Sequence, residues 1–115
     1  MAERRMFAKK VIDSDLFLDM PLSTQALYFH LGLRADDDGF LNNHKRIMRT
    51  IGANEDDKKV LVAKKFIIEF DTGILVITHW KVHNYIQADR YKPTMHQLEK
   101  SKIKEIKDIG YTLDT

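Results

Sequence analysis

The apolar positions of this chain switch between helical and strand-like spacing, and the switches predict its elements. Residues 14–20 predict a short helix that tucks Leu16, Phe17 and Met20 beneath the element that follows. Pro21 fixes the entry to that element, a helix capped by Ser23 and running to about Ala35. Leu22 and Leu27 stand at the two positions of a hydrophobic staple. Ala26, Phe29 and Leu33 form one apolar stripe while Leu27 and Leu31 lie almost opposite, so this central helix should be covered on two sides.

Asp36-Asp37-Asp38-Gly39 breaks the helical period, with Gly39 free to take a positive φ, and Phe40-Leu41 reads as a short strand. Asn43 caps a second helix, His44 to Ile51, whose Ile47, Met48 and Ile51 share a face while Lys45, Arg46 and Arg49 point elsewhere; Gly52 ends it. Asn54 caps a third helix reaching about Phe66, with Asp57 three residues on completing a capping box and Glu55, Asp56 and Asp57 suiting the positive end of the dipole. Two short helices joined through a glycine are the helix-turn-helix pattern, whose second helix normally enters the major groove. Two β-branched and aromatic runs, residues 66–70 and 74–78, flank Asp71-Thr72-Gly73 and predict a hairpin with glycine at the bulge.

Together these elements predict a mainly α chain with a small β-sheet, in the order of a winged helix-turn-helix. Beyond the wing, residues 80–86 should pack back on the core. Pro93-Thr94 opens a last helix, with Thr94 and Gln97 as capping box and Leu98, Ile103 and Ile106 as a ragged apolar face fading near Asp108; residues 110–115 predict no element. The organisation expected is a winged-helix domain over residues 1–92 and a C-terminal helix and tail over 93–115 that leads toward a further domain.

At 115 residues the chain suits one core. It lacks both a membrane-length apolar run and a secretory leader, which fits the cytoplasm, and without cysteine it has no disulfide, zinc knuckle or thiol chemistry. Net charge is only +2, but it is laid down in blocks. Residues 11–43 hold six aspartates against Arg34, whereas residues 44–65 hold seven basic side chains against three acidic ones. Further basic residues follow between Arg90 and Lys107.

Catalytic chemistry has no support here. The triple aspartate is not followed by the ligand spacing of a calcium loop and reads as capping and turn chemistry. His79 and His83 share a face only if their segment is helical, and they lack a third ligand, so they read as structural. No cofactor and no metal is expected. The residues expected to meet DNA are Lys45, Arg46 and Arg49 on the second helix, Asn54, Lys58 and Lys59 on the third, and Arg90 and Lys92 after the wing, acting mainly on phosphates. The wing tip has no lysine or arginine, and the acidic start of the third helix opposes phosphate approach.

Several strings carry a family resemblance: Lys9-Lys10-Val11-Ile12-Asp13-Ser14-Asp15, Met20-Pro21-Leu22-Ser23-Thr24-Gln25-Ala26-Leu27-Tyr28, Arg34-Ala35-Asp36-Asp37-Asp38-Gly39-Phe40, and His79-Trp80-Lys81-Val82-His83-Asn84-Tyr85-Ile86-Gln87 through Asp89-Arg90-Tyr91-Lys92-Pro93-Thr94. Over about Arg5 to Leu98 the chain resembles the N-terminal domain of replisome organisers and replication initiators of phages and prophages of Gram-positive bacteria. That family is similar to the winged-helix N-terminal domains of DnaD-type primosome proteins. The resemblance implies DNA binding, self-association and help in delivering helicase machinery to an origin, and none of this follows from periodicity or charge.

The leading expectation is therefore a non-enzymatic DNA-binding replication module, with DNA and a helicase or helicase loader as partners. The alternative is an assembly module that dimerises or docks a partner, favoured by the acidic third helix, the bare wing and the low net charge. A winged-helix transcriptional regulator would look the same to sequence physics. A two-fold dimer is expected to use Met6, Phe7, Val11 and Ile12 with the final helix.

Overall fold

The computed structural model describes residues 4–114. In chain order its elements are α1 (Lys9–Ile12), α2 (Asp15–Leu18), α3 (Leu22–Arg34), β1 (Phe40–Leu41), α4 (His44–Ile51), α5 (Glu55–Ala63), β2 (Ile67–Glu69), β3 (Leu75–Ile77), α6 (Trp80–His83), α7 (Gln97–Lys100), β4 (Ile103–Ile106) and β5 (Gly110–Leu113). The domain is mixed α/β, with an antiparallel sheet of order β1-β3-β2 and a separate β4-β5 hairpin.

The central helix α3 has its entry set by tertiary contacts. Pro21 occupies the cap position without a side-chain bond, and the predicted cap Ser23 instead donates its hydroxyl to Asp57 Oδ1 at 2.7 Å. Thr24 donates to the same oxygen at 2.8 Å. The staple does not form, because Leu22 stands 81% exposed. Leu27, Tyr28 and Leu31 are fully buried, whereas Ala26 and Leu33 of the opposite predicted stripe face outward. Phe7, Phe17, Phe29 and Phe66 surround Tyr28, largely edge to face, with centroids 5.0 to 6.2 Å apart within the cluster. Gly32 makes room for Phe7, whose ring would lie 2.8 Å from any Cβ there. Phe7 and Val11 thus serve this chain's own core, with Ile12 half-buried beside them; among these residues Met6 alone stays exposed. This overturns the reading of the segment as surplus apolar surface for a dimer.

The acidic triplet after α3 does more than turn the chain. Asp36 Oδ1 accepts the amides of Asp38 and Phe40, the turn role expected of it. Gly39 has φ +90°, and a Cβ there would meet Trp80 Cγ at 2.7 Å, so both backbone and packing demand glycine. Trp80 in turn donates its indole N–H to Asp37 O at 2.9 Å. Asp37 and Asp38 are buried. Asp37 pairs with Arg5 at 3.2 Å, whose guanidinium lies over the Trp80 ring, and accepts the Lys92 amide. Asp38 accepts the Tyr91 hydroxyl and the Thr94 amide, with Lys100 Nζ at 3.4 Å and Lys81 Nζ at 3.9 Å.

This cluster explains why the last helix fails to form as predicted. The Thr94 hydroxyl donates to Asp36 and accepts the His96 amide, but its own amide is held by Asp38, so Gln97 meets only the Thr94 carbonyl and the reciprocal half of the capping box is lost. One turn of helix follows, α7, and the β-branched residues beyond it form the β4-β5 hairpin in place of helix and featureless tail. Ile103 pairs with Leu113 and Ile106 with Gly110, and Ile103 and Tyr111 join the same buried core as α3.

Where the chain is short-range in its logic, prediction and structure coincide. β1 meets β3 at Phe40↔Val76, β2 meets β3 at Ile68↔Val76, and Gly73 takes φ +85° in the connecting loop. Ile47 and Met48 are buried under α4. In α5 the capping box is complete, Asn54 accepting from the Asp57 amide and Asp57 accepting from the Asn54 amide, each at 3.1 Å. α5 stops at Ala63, short of the predicted Phe66: Lys65 takes φ +65°, and the amides of Lys65 and Phe66 bond back to Val62 and Leu61 in a Schellman closure. Among the described residues no helix is long and apolar enough to cross a membrane.

Candidate nucleic-acid interface

Helix α4 buries one side and turns the other to solvent, and the exposed side is cationic. Lys45, Arg46 and Arg49 are all exposed. A cleft of about 310 Å³ on one flank is lined by Arg34, Asn43, Arg46, Ile47, Thr50 and Ile51. A second of about 340 Å³ on the other is lined by Lys45, Met48, Arg49, Ala53 and Glu55. Arg34 was missed in the sequence because it closes α3, twelve positions before Arg46. Its Nη1 lies 3.0 Å from His30 Nδ1 and donates to the His30 carbonyl at 3.1 Å, which fixes its head at the end of α3. Among the described residues no carboxylate lies within ion-pair distance of Arg34, Lys45, Arg46 or Arg49. Four exposed cations without a counter-charge among the described residues are the physical basis for holding a polyanion.

The structure splits the α5 candidates. Lys59 is exposed and adds to the basic surface. Lys58 is buried, its ammonium 2.8 Å from Glu69 Oε2 and 3.2 Å from Glu55 Oε2, and the Glu69 hydrogen bond is the main cause that raises its pKa. It is committed to tying α5 to β2. Asn54's carbonyl oxygen is committed to the cap. The amide end of α5 is thereby closed by its own residues, with Glu55 and Asp56 exposed beside it. Asp57 is buried, and its carboxyl pKa is held down, against the upward push of burial, by hydrogen bonds from Ser23, Asn54 and Thr24.

Arg90 and Lys92 lie in the segment between α6 and α7. That segment is fastened to the acidic triplet through Tyr91, the Lys92 amide and Thr94, and among the described residues no hydrogen bond or ion pair joins it to α4 or α5. The structure therefore places Lys45, Arg46 and Arg49 on the exposed side of α4, adds Arg34 beside Arg46, and leaves Lys59 exposed on α5 and Arg90 and Lys92 on a separate segment.

The segment after β3 is helical after all, so His79 and His83 do share a face, with ring centroids 6.2 Å apart. Both His83 nitrogens are occupied: Nδ1 accepts the Ala8 amide at 2.8 Å, which leaves the proton on Nε2, 2.6 Å from the Tyr28 hydroxyl. Burial lowers the His83 pKa to about 4 and pushes the Tyr28 phenol up. His44 at the start of α4 is also buried, and burial, then Lys58, lowers its pKa. Among the described residues no group of three or more His, Cys, Asp or Glu side chains could hold a metal ion.

Comparison with protein-family models, with curated proteins and with solved structures returned no match to this chain.

Proposed function

We propose that α3 through β3 form a winged helix-turn-helix that holds duplex DNA by its phosphates, without enzymatic activity. The observation that carries this reading is the set Arg34, Lys45, Arg46 and Arg49, exposed around α4 with no carboxylate within ion-pair distance among the described residues. The element order α3-β1-α4-α5-β2-β3 and the β1-β3-β2 sheet support the fold reading. The acidic start of α5 and the hairpin tip Asp71-Thr72-Gly73, which has no cation, shift the contact from the expected recognition helix to α4. Binding of this kind tracks the backbone and discriminates little between sequences. The resemblance to phage replication initiators supports a role in assembling helicase-loading machinery at an origin, with a helicase or its loader and further copies of the chain as partners.

Fluorescence anisotropy with a random duplex tests the reading. Arg46→Ala with Arg49→Ala should weaken binding to all duplexes alike by roughly tenfold or more, about 1.4 kcal/mol or more. Unchanged affinity in a variant with an intact fold would remove α4 from the interface.

Two observations favour a second reading, an assembly module with weak DNA binding. Glu55 and Asp56 stand exposed where a recognition helix would approach phosphate, and Leu16, Leu18 and Leu22 are exposed together at the turn into α3. A chain that sediments as a dimer and shows no affinity for duplex at low salt would select it.

A further inference from the structure

The edge strands β2 and β5 line one cleft of about 320 Å³. In the β2-β3 ladder the bonds Thr78 N–H to Phe66 O and Phe70 N–H to Ile74 O fix the alternation, with Ile68 and Val76 as the bonded pair between them. The N–H and C=O groups of Ile67 and Glu69 therefore point away from β3. The same alternation in β4-β5, set by Asp114 N–H to Lys102 O, turns Tyr111 and Leu113 away from β4, and Tyr111 N–H indeed reaches Thr78 O at 2.7 Å. Thr78 lines the same cleft, and its buried hydroxyl has no hydrogen-bond partner among the described residues. A buried hydroxyl without a partner costs free energy that a ligand can recover.

We propose that this cleft binds an extended peptide of a partner protein, which adds a strand to the open edge of β2. The peptide has apolar residues at alternate positions and a carboxylate facing Lys65. Backbone groups of Ile67 and Glu69 ask for an extended chain, and the apolar walls of Val62, Ile68 and Leu113 accept every second side chain. Charge sets the acidic preference: Glu69 at one end is neutralised by Lys58, whereas Lys65 is exposed with no carboxylate within ion-pair distance among the described residues. A second copy of this domain fits less well. β5 walls the cleft, so a lone strand enters where the edge of a second sheet would bring its neighbouring strand against β5.

The test is an amide-shift titration of the isotope-labelled chain with the capped peptide acetyl-Thr-Val-Asp-Val-Thr-Val-amide, alongside the same peptide N-methylated at alternate residues. The amides of Ile67, Glu69 and Leu113 should shift and exchange more slowly, with a Kd of roughly 0.1 to 1 mM. N-methylation should weaken binding at least about tenfold, and Lys65→Glu and Thr78→Val should each weaken it several-fold while the spectrum of the free domain stays folded. Three results would overturn the proposal: no shifts at millimolar peptide, equal binding of the N-methylated peptide, or the same amides shifting with protein concentration alone, which would assign the cleft to a second copy.

Discussion

His83 shows how one side chain can set a pH limit for the fold. Its Nδ1 must stay unprotonated to accept the Ala8 amide, and burial holds its pKa near 4 against 6.5 in an open chain. Between those values the unfolded chain binds the proton and the folded one does not, so stability is fully present above about pH 6.5 and is lost as pH falls toward 4. With about 1.4 kcal/mol per pH unit, the loss amounts to roughly 3 kcal/mol, and the lowered pKa values of His44 and His79 add to it in the same direction. Urea midpoints measured across that window should fall on acidification, and the His83 ring resonance should titrate near pH 4; a midpoint flat from pH 7 to 4.5 would contradict the buried neutral assignment. Gly39 sets a steric limit of the same sharpness. Gly39→Ala adds a strained φ and a 2.7 Å clash with Trp80, and should lower unfolding free energy by about 3 kcal/mol in a denaturant titration.

At the scale of elements, what the sequence disclosed depended on how far apart the partners lie. The α4 stripe, the Asn54-Asp57 capping box and the β2-β3 hairpin rest on residues a few positions apart, and each formed where its pattern indicated. Ser23 and Thr94 depart from their predicted roles for the opposite reason: α3 starts before Ser23, whose hydroxyl holds Asp57, 34 positions away, and the Thr94 amide that a capping box needs is held by Asp38, 56 positions away. The α5 lysines make the same point for function. Adjacent in sequence and identical in type, Lys58 is buried between Glu55 and Glu69 while Lys59 is exposed. Lys58→Ala should therefore cost about 1 to 2 kcal/mol of stability, through the lost packing of its buried stem and the loss of its bond to Glu69, yet change DNA affinity little. Lys59→Ala should leave the thermal midpoint within a degree or so and weaken duplex binding several-fold. The reverse pattern would show that α5 is docked differently.

Across the whole molecule, the acidic triplet joins the two ends of the chain to its middle. Arg5 from the N-terminal side, and Tyr91, Thr94 and Lys100 from the C-terminal side, all meet Asp36, Asp37 or Asp38. In the sequence these aspartates read as a turn, because nothing local signals that carboxylates will be buried beside three cations that lie as many as 62 positions away from Asp38. Asp38→Ala removes the acceptor of Tyr91 and Thr94 together with the counter-charge of Lys100. It should destabilise the domain by roughly 3 to 5 kcal/mol and raise hydrogen exchange through residues 91–113 before the α3 core is affected. Loss of protection spread evenly over the chain would argue that the triplet fastens no separate unit.

If the cations around α4 hold DNA through its phosphates, binding must weaken with salt in proportion to the phosphates contacted. Counterion release gives log K a slope of about −0.9 per phosphate contact on log salt, so Arg34, Lys45, Arg46 and Arg49 together predict roughly −3 to −4 for a random duplex. Arg46→Ala with Arg49→Ala should make that slope shallower by about 2. A wild-type slope near zero, or one that the double substitution leaves unchanged, would contradict phosphate contact by these cations.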